Sequence, residues 1–217
     1  MPPRKADSLT DVIAKLKTHL QNSTNDLDAS ELYPYGRVTA AEARAQEKVK
    51  HEAAVVILLA PIQERLSALF IKRSAHGIHG RQIAFPGGKR DEGESFETTA
   101  IRELYEETGI LISQENIVSR LNEVFIVPSL FVVQPYVAII ETTPTVTPNL
   151  EEIDAVFWSD IATIQKTKAR LCKVISSVGN HEIKVHGFMM NNEIIWGATA
   201  IILEDFKNRV RKISSAL

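Results

Sequence analysis

The chain has 217 residues, 44% of them hydrophobic and 24% charged. That is the make-up of a folded globular domain and excludes a disordered or fibrous chain. Lys and Arg number 25 against 27 Asp and Glu, a formal net charge of -2, so a basic nucleic-acid-coating surface and a nucleic-acid partner are excluded. One cysteine, Cys172, leaves no internal disulfide framework and no Cys-rich zinc site. The longest apolar runs, such as Ala53 to Pro61, are too short to span a bilayer, so no membrane partner is expected. The first residues lack a secretory apolar stretch, and the expectation is a soluble, reducing, cytoplasmic setting.

In chain order, Leu9, Val12, Ile13, Leu16 and Leu20 share one face of a first helix, with Asp7 or Ser8 as its cap. A polar stretch follows, and Thr39 with Glu42 forms a capping box that opens a short second helix. From His51 the pattern turns to strands: Ala53 to Leu59, Ala68 to Lys72, and Gln82 to Phe85 before Pro86, Gly87 and Gly88. A strong helix covers Ser95 to Thr108. Strands are expected at Val124 to Val127, Val132 to Glu141 and Ala155 to Trp158, then a short helix at Ile161 to Lys166. Leu171 to Ser176, Glu182 to His186 and Glu193 to Trp196 read as further strands, and a last helix runs from about Ala198 to Ile213. The mixture predicts an α/β sandwich of layers, with a helical extension over residues 1–50 packed on a domain formed by residues 51–217. That extension either covers the sheet or forms a homodimer contact.

Charge is distributed unevenly. No acid occurs between Leu66 and Arg90, where Lys72, Arg73, Arg81, Lys89 and Arg90 are joined by His76 and His79. Seven acids and one base, Arg102, fall between Asp91 and Gly109. Charge runs are commonly solvated faces; here the spacing argues otherwise. On a helix, Phe96, Ala100, Ile101 and Leu104 form an apolar face, with Glu103, Glu106 and Glu107 in an arc of roughly 100° beside it. Like charges one turn apart repel, and hard carboxylate oxygens in such a cluster suit Mg²⁺ or Mn²⁺. Glu97 projects toward the apolar side and is set aside as a ligand. Arg102 stands beside the cluster, where it can orient a carboxylate or offset charge. Ser95 suits the N-cap and Gly109 a left-handed C-cap, and Gly87 and Gly88 leave backbone open to a metal or phosphate.

Gly88, Glu94, Arg102, Glu103, Leu104, Glu106, Glu107, Gly109 and Ile110 match, at every spacing, the signature of the Nudix hydrolases, and the chain resembles that family. The resemblance implies a Nudix-type α/β/α sandwich with a mixed sheet, and hydrolysis of a nucleoside-diphosphate-linked small molecule. It implies that Glu103 and Glu107 are the leading metal ligands. Glu106 is then a further ligand or base, the Gly88 carbonyl completes a metal shell, and Glu94 and Arg102 tie the loop to the helix. Glu152 is a second candidate for the base, delivered from outside the signature, with anchoring of the following strand as the plainer alternative.

Leu69 to Ser74 followed by Gln82 to Gly88 is similar to the extra motif of coenzyme A pyrophosphatases in this family, as are Glu152 to Trp158 and Ile195 to Ala200. The chain departs from that subgroup where Gly77 replaces an arginine and Arg81 a glycine. Arg73, His79, Arg81 and Lys89 are the residues expected to contact the substrate phosphates. The expected activity is metal-dependent cleavage of coenzyme A or its derivatives into 4′-phosphopantetheine and adenosine 3′,5′-bisphosphate. The alternatives are a Nudix pyrophosphatase acting on ADP-ribose, dinucleotides or nucleoside triphosphates, and a non-hydrolytic nucleotide-sensing module.

Overall fold

The computed structural model describes residues 8–23, 32, 38–75, 80–175 and 181–211. The centre is β1 (His51–Ile62), a run of β-branched and aliphatic residues buried on both faces. Its alternation divides the core. Ala53, Ile57 and Leu59 enter one cluster, whereas Ala54, Val56 and Leu58 enter another on the opposite face. Gln63 and Glu64 both have positive φ, 48° and 62°, and turn the chain into β2 (Arg65–Arg73), which pairs antiparallel with β1.

On its other side β1 pairs in parallel with β7 (Phe131–Ile139). The short strands β3 (Ile83–Ala84) and β4 (Gly87–Lys89) pair with β2 and β1 respectively. β5 (Ile117–Arg120) and β6 (Val124–Ile126) both pair with β7, and β8 (Ile153–Asp160) pairs with β2. A second sheet holds β9 (Arg170–Ile175), β10 (Glu182–Met190) and β11 (Glu193–Trp196) in the order β11-β10-β9.

Helices cover both faces of the large sheet. α3 (Phe96–Thr108) packs Ala100 and Leu104 onto Ala54, Val56, Leu58 and Tyr136. The other face is covered by α1 (Leu9–Asn22), α4 (Ile161–Lys166), α5 (Gly197–Val210) and the second sheet, through Leu16, Ile164, Phe206 and Phe188. This is the expected α/β/α sandwich on a mixed sheet. α2 (Ala40–Ala45), with its Thr39–Glu42 capping box, buries Ala40 and Ala43 against Phe125 and Val132.

α1 contributes Ile13, Leu16 and Leu20 to the same core as β1. Asp205 and Arg209 of α5 form a buried pair at 3.0 Å. Arg209 Nη1 donates to the Ser23 carbonyl at 3.0 Å, and His19 Nε2 lies 2.8 Å from the Arg209 carbonyl. Among the described residues, no helix is long and apolar enough to cross a membrane.

The expected elements are present, with a 3-10 turn at Gln114–Asn116 and two strands added. β4 and β5 are strands that the pattern does not announce. Glycines disfavour a strand, and Gly87–Lys89 become one by borrowing the β1 edge, in register Ala53 to Lys89. β5 is four residues long, too short for a periodic signal. The second-sheet hairpin runs on to Met190, beyond the expected end at His186. The expected end of the last helix at Ile213 lies outside the described residues.

Candidate active site

The site forms where α3 crosses β4. Ser95 caps α3 by accepting the Thr98 N–H, and Gly109, at φ 70°, ends it in the left-handed region. The helix therefore starts and stops where the sequence requires, and its register relative to the sheet is set by Ala100 and Leu104. That register brings Glu103 and Glu107 over the two glycines of β4. Gly87 N–H donates to Glu107 Oε2 at 2.9 Å. At Gly88 a β-carbon would stand 2.3 Å from Glu103 Oε2, so the carboxylate seats directly against the glycine and any side chain there would displace it.

Arg102 is the hub. Its Nε and Nη2 grip Glu94 at 2.9 and 3.0 Å, and Nη2 also reaches the Lys89 carbonyl at 3.2 Å. Its Nη1 donates to Glu103 Oε1 at 2.9 Å and Glu106 Oε2 at 2.8 Å. The arginine therefore ties the loop before α3 to two of the cluster's carboxylates. Hydrogen bonds from Arg102 are the main reason the Glu94 carboxyl sits far below its usual range, at about 2.

Glu107 and Glu103 are in the opposite situation. Glu107 is buried, and burial pushes its carboxyl up to about 8. The charges of Glu103 and Glu152 add to that rise, against the Gly87 N–H and Arg73. Arg73 Nη1 lies 3.4 Å from Glu107 Oε1. Burial also raises Glu103, and there too the neighbouring Glu106 and Glu152 push in the same direction.

Glu152 is placed by a loop tied to the end of α3. Thr147 N–H donates to the Thr108 carbonyl at 2.8 Å and Asn149 N–H to the Glu107 carbonyl at 3.0 Å. Asn149 Nδ2 then donates to Glu152 Oε1 at 3.0 Å, and the Glu152 carbonyl accepts Ser74 N–H at 2.9 Å. The sequence reading did not single out Asn149. The available signal was an Asx turn, an asparagine two residues before a bend, which Oδ1 makes by accepting Glu151 N–H at 3.2 Å.

Of the four residues expected to bind phosphate, Arg73, Arg81 and Lys89 are among the described residues. Arg73 touches Glu107. Lys89 is exposed at the end of β4, and Arg81 is exposed at φ 61°, with its N–H shared between the Arg73 and Ser74 carbonyls. That left-handed backbone favours glycine, which accounts for the glycine expected at position 81. His79, with His76, lies outside the described residues. Glu97 accepts the Tyr136 hydroxyl at 2.8 Å on the sheet side, as the helical projection required.

Among the described residues, no group of three His, Cys, Asp or Glu side chains already surrounds a common point, the carboxylates being turned toward Arg102, Arg73 and Gly87. The donor set nevertheless suits a hard divalent cation. Every donor is oxygen, and Arg102 engages Oε1 of Glu103 and Oε2 of Glu106, leaving the second oxygen of each unpaired among the described residues. The buried Glu107 beside them is opposed by one arginine contact at 3.4 Å.

Comparison with known proteins places this constellation. The NUDIX domain model matches residues 49–174. The chain is 31% identical over 166 residues to Nudix hydrolase 3 of Caenorhabditis elegans, covering 69% of each chain. It is 30% identical over 161 residues to the mitochondrial coenzyme A diphosphatase NUDT8 of Mus musculus, covering 70% of this chain and 74% of that one. It is also 32% identical over 113 residues to the peroxisomal coenzyme A diphosphatase ndx-8 of C. elegans, covering 50% of this chain and 48% of that one. Among solved structures, a MutT/nudix family protein from Enterococcus faecalis superposes with a TM-score of 0.54 at 22% identity, over 95% of this chain and 70% of that one, which bears on the fold alone. The carboxylate helix, the glycine strand beneath it and the family match lead to one conclusion: the chain belongs to the Nudix family and is a Nudix hydrolase.

Proposed function

We propose that this Nudix hydrolase cleaves the diphosphate of coenzyme A or its derivatives, giving 4′-phosphopantetheine, or its acyl form, and adenosine 3′,5′-bisphosphate. The likeness to a coenzyme A diphosphatase over 161 residues carries this reading. The acid-free stretch from Leu66 to Arg90, which offers more positive charge than a plain diphosphate requires, supports it.

Glu103, Glu107 and Glu106, with the Gly88 carbonyl, would hold Mg²⁺ or Mn²⁺. A divalent cation bound there neutralises the diphosphate and lowers the pKa of a water. The chain's own groups do the rest. Arg102 keeps Glu103 and Glu106 in place, Arg73, Arg81 and Lys89 receive the phosphates, and Glu152 takes the proton of the attacking water. Glu106 is the rival for that proton. The substrate is a small molecule, and the cytoplasm is the compartment in this reading. The mitochondrial and peroxisomal names of two relatives set the rival compartments, which imaging of the tagged chain distinguishes.

The test uses the 3′-phosphate. A charge-assisted contact to it contributes about 1.5–3 kcal/mol, or one to two orders of magnitude in kcat/KM. With Mg²⁺, coenzyme A should be cleaved at least about tenfold more efficiently than dephospho-coenzyme A, and Arg73→Ala or Arg81→Ala should narrow the ratio. Equal turnover of the two, or faster turnover of ADP-ribose, a dinucleotide or a nucleoside triphosphate, would reject the coenzyme A assignment.

A further inference from the structure

Asn149 makes more contacts than a turn residue requires. Its backbone N–H is bonded to the Glu107 carbonyl at 3.0 Å, at the end of the carboxylate helix. Its own carbonyl accepts the N–H groups of Glu152 and Ile153, each at 3.0 Å. Its side chain divides two tasks between two atoms. Oδ1 accepts Glu151 N–H at 3.2 Å and closes the turn, whereas Nδ2 donates to Glu152 Oε1 at 3.0 Å. A turn needs the first bond and has no use for the second. The Glu152 carboxylate is exposed at its surface, so nothing about folding requires it to be held.

We infer that Asn149 is a positioning residue, whose Nδ2–H holds the Glu152 carboxylate at a set distance from α3 by linking it to the Glu107 end of that helix. The inference rests on the reading of Glu152 as the group that takes the proton. Glu152 lies on the loop between β7 and β8, a flexible carboxylate on an exposed turn, and it must meet a water held by groups on α3. One residue bonded to both elements removes the freedom between them. Misplacement by about an ångström costs on the order of a hundredfold in such a step.

The two side-chain atoms make the inference separable from a structural role. Asn149→Asp keeps an oxygen for the Glu151 N–H but loses the donor and sets a carboxylate against Glu152. Asn149→Ala loses both. Kinetics are measured with Mg²⁺ on whichever of coenzyme A, dephospho-coenzyme A and ADP-ribose the wild-type chain cleaves fastest, so a failed substrate assignment shows before any variant is made. Asn149→Asp should keep the melting temperature of the wild type and lower kcat by about ten- to a hundredfold, with KM within about twofold. Asn149→Ala should lower kcat comparably. In a Glu152→Gln background the same Asn149→Asp change should cost no more than about twofold, because the carboxylate it positions is already gone.

Wild-type kcat in Asn149→Asp, or an equal loss in the presence and absence of the Glu152 carboxylate, would overturn the inference alone. Near wild-type kcat in Glu152→Gln would overturn the proton-acceptor reading and the inference together.

Discussion

Two arginine–carboxylate pairs in this molecule share one helical spacing and differ in everything else. Asp205 and Arg209 of α5 stand four residues apart, as do Arg102 and Glu106 of α3. In α5 the Asp205 and Arg209 side chains are 1% and 6% exposed, and their partners are complete. Asp205 Oδ2 takes the Asn122 N–H at 2.9 Å and its Nδ2 at 3.1 Å, and Arg209 reaches the Ser23 and Arg120 carbonyls. In α3 one arginine is divided among Glu94, Glu103 and Glu106, while the buried Glu107 stands beside them with the Gly87 N–H and one contact to Arg73. A buried pair whose hydrogen bonds are all made holds elements together, here α1, α5 and the segment before β6. A cluster with more acid than base keeps its oxygens for something that arrives.

The closed pair is expected to carry the larger share of stability. Asp205→Ala leaves the Arg209 guanidinium buried without its counter-charge and should cost about 3–5 kcal/mol of stability in urea unfolding. Turnover by the folded fraction should stay within about twofold of wild type. A loss under about 1 kcal/mol would show that α5 does not depend on the pair.

At the open end the balance reverses. Glu103→Gln and Glu107→Gln should fold normally and lose at least about a hundredfold in kcat. The rise in melting temperature caused by millimolar Mg²⁺ should shrink in Glu107→Gln. Glu97→Gln, on the sheet side against Tyr136, should stay near wild-type activity. An inactive Glu97→Gln would mean that the helix is read in the wrong register.

Glu94 belongs to the open cluster by sequence and to the closed kind by physics, since Arg102 and Thr99 satisfy it. Glu94→Gln should cost about 1.5–3 kcal/mol at neutral pH, the range for a hydrogen bond to a charged group. Its folded carboxyl titrates at about 2, below the ordinary 4.5. The stabilisation is therefore complete above about 4.5 and disappears as pH falls through about 2. Wild type and variant should converge across that interval, and a gap that persists at pH 2 would assign the effect to packing. The smallest effect is expected at Gly88. Gly88→Ala forces the Glu103 carboxylate off its seat and should lower kcat roughly tenfold with little change in melting temperature.

The chain's sequence alone determined the helix that carries the chemistry. Its apolar face, its Ser95 and Gly109 ends and the relative placement of Glu103, Glu106 and Glu107 follow from a period of about 3.6 residues. The central strands were equally legible, because burial on both faces demands a continuous aliphatic run. Tertiary structure alone decided which of those carboxylates is buried. On the helix Glu107 neighbours the apolar face, and it is buried against β4, a glycine strand that exists only because β1 offers it an edge. The same applies to Arg73 beside Glu107 and to the Asn149 N–H on the Glu107 carbonyl. Local sequence sets propensity and periodicity, whereas the contacts of Gly87, Arg73 and the Asn149 N–H with Glu107 join residues far apart in the chain, and their existence depends on how strands and helices pack.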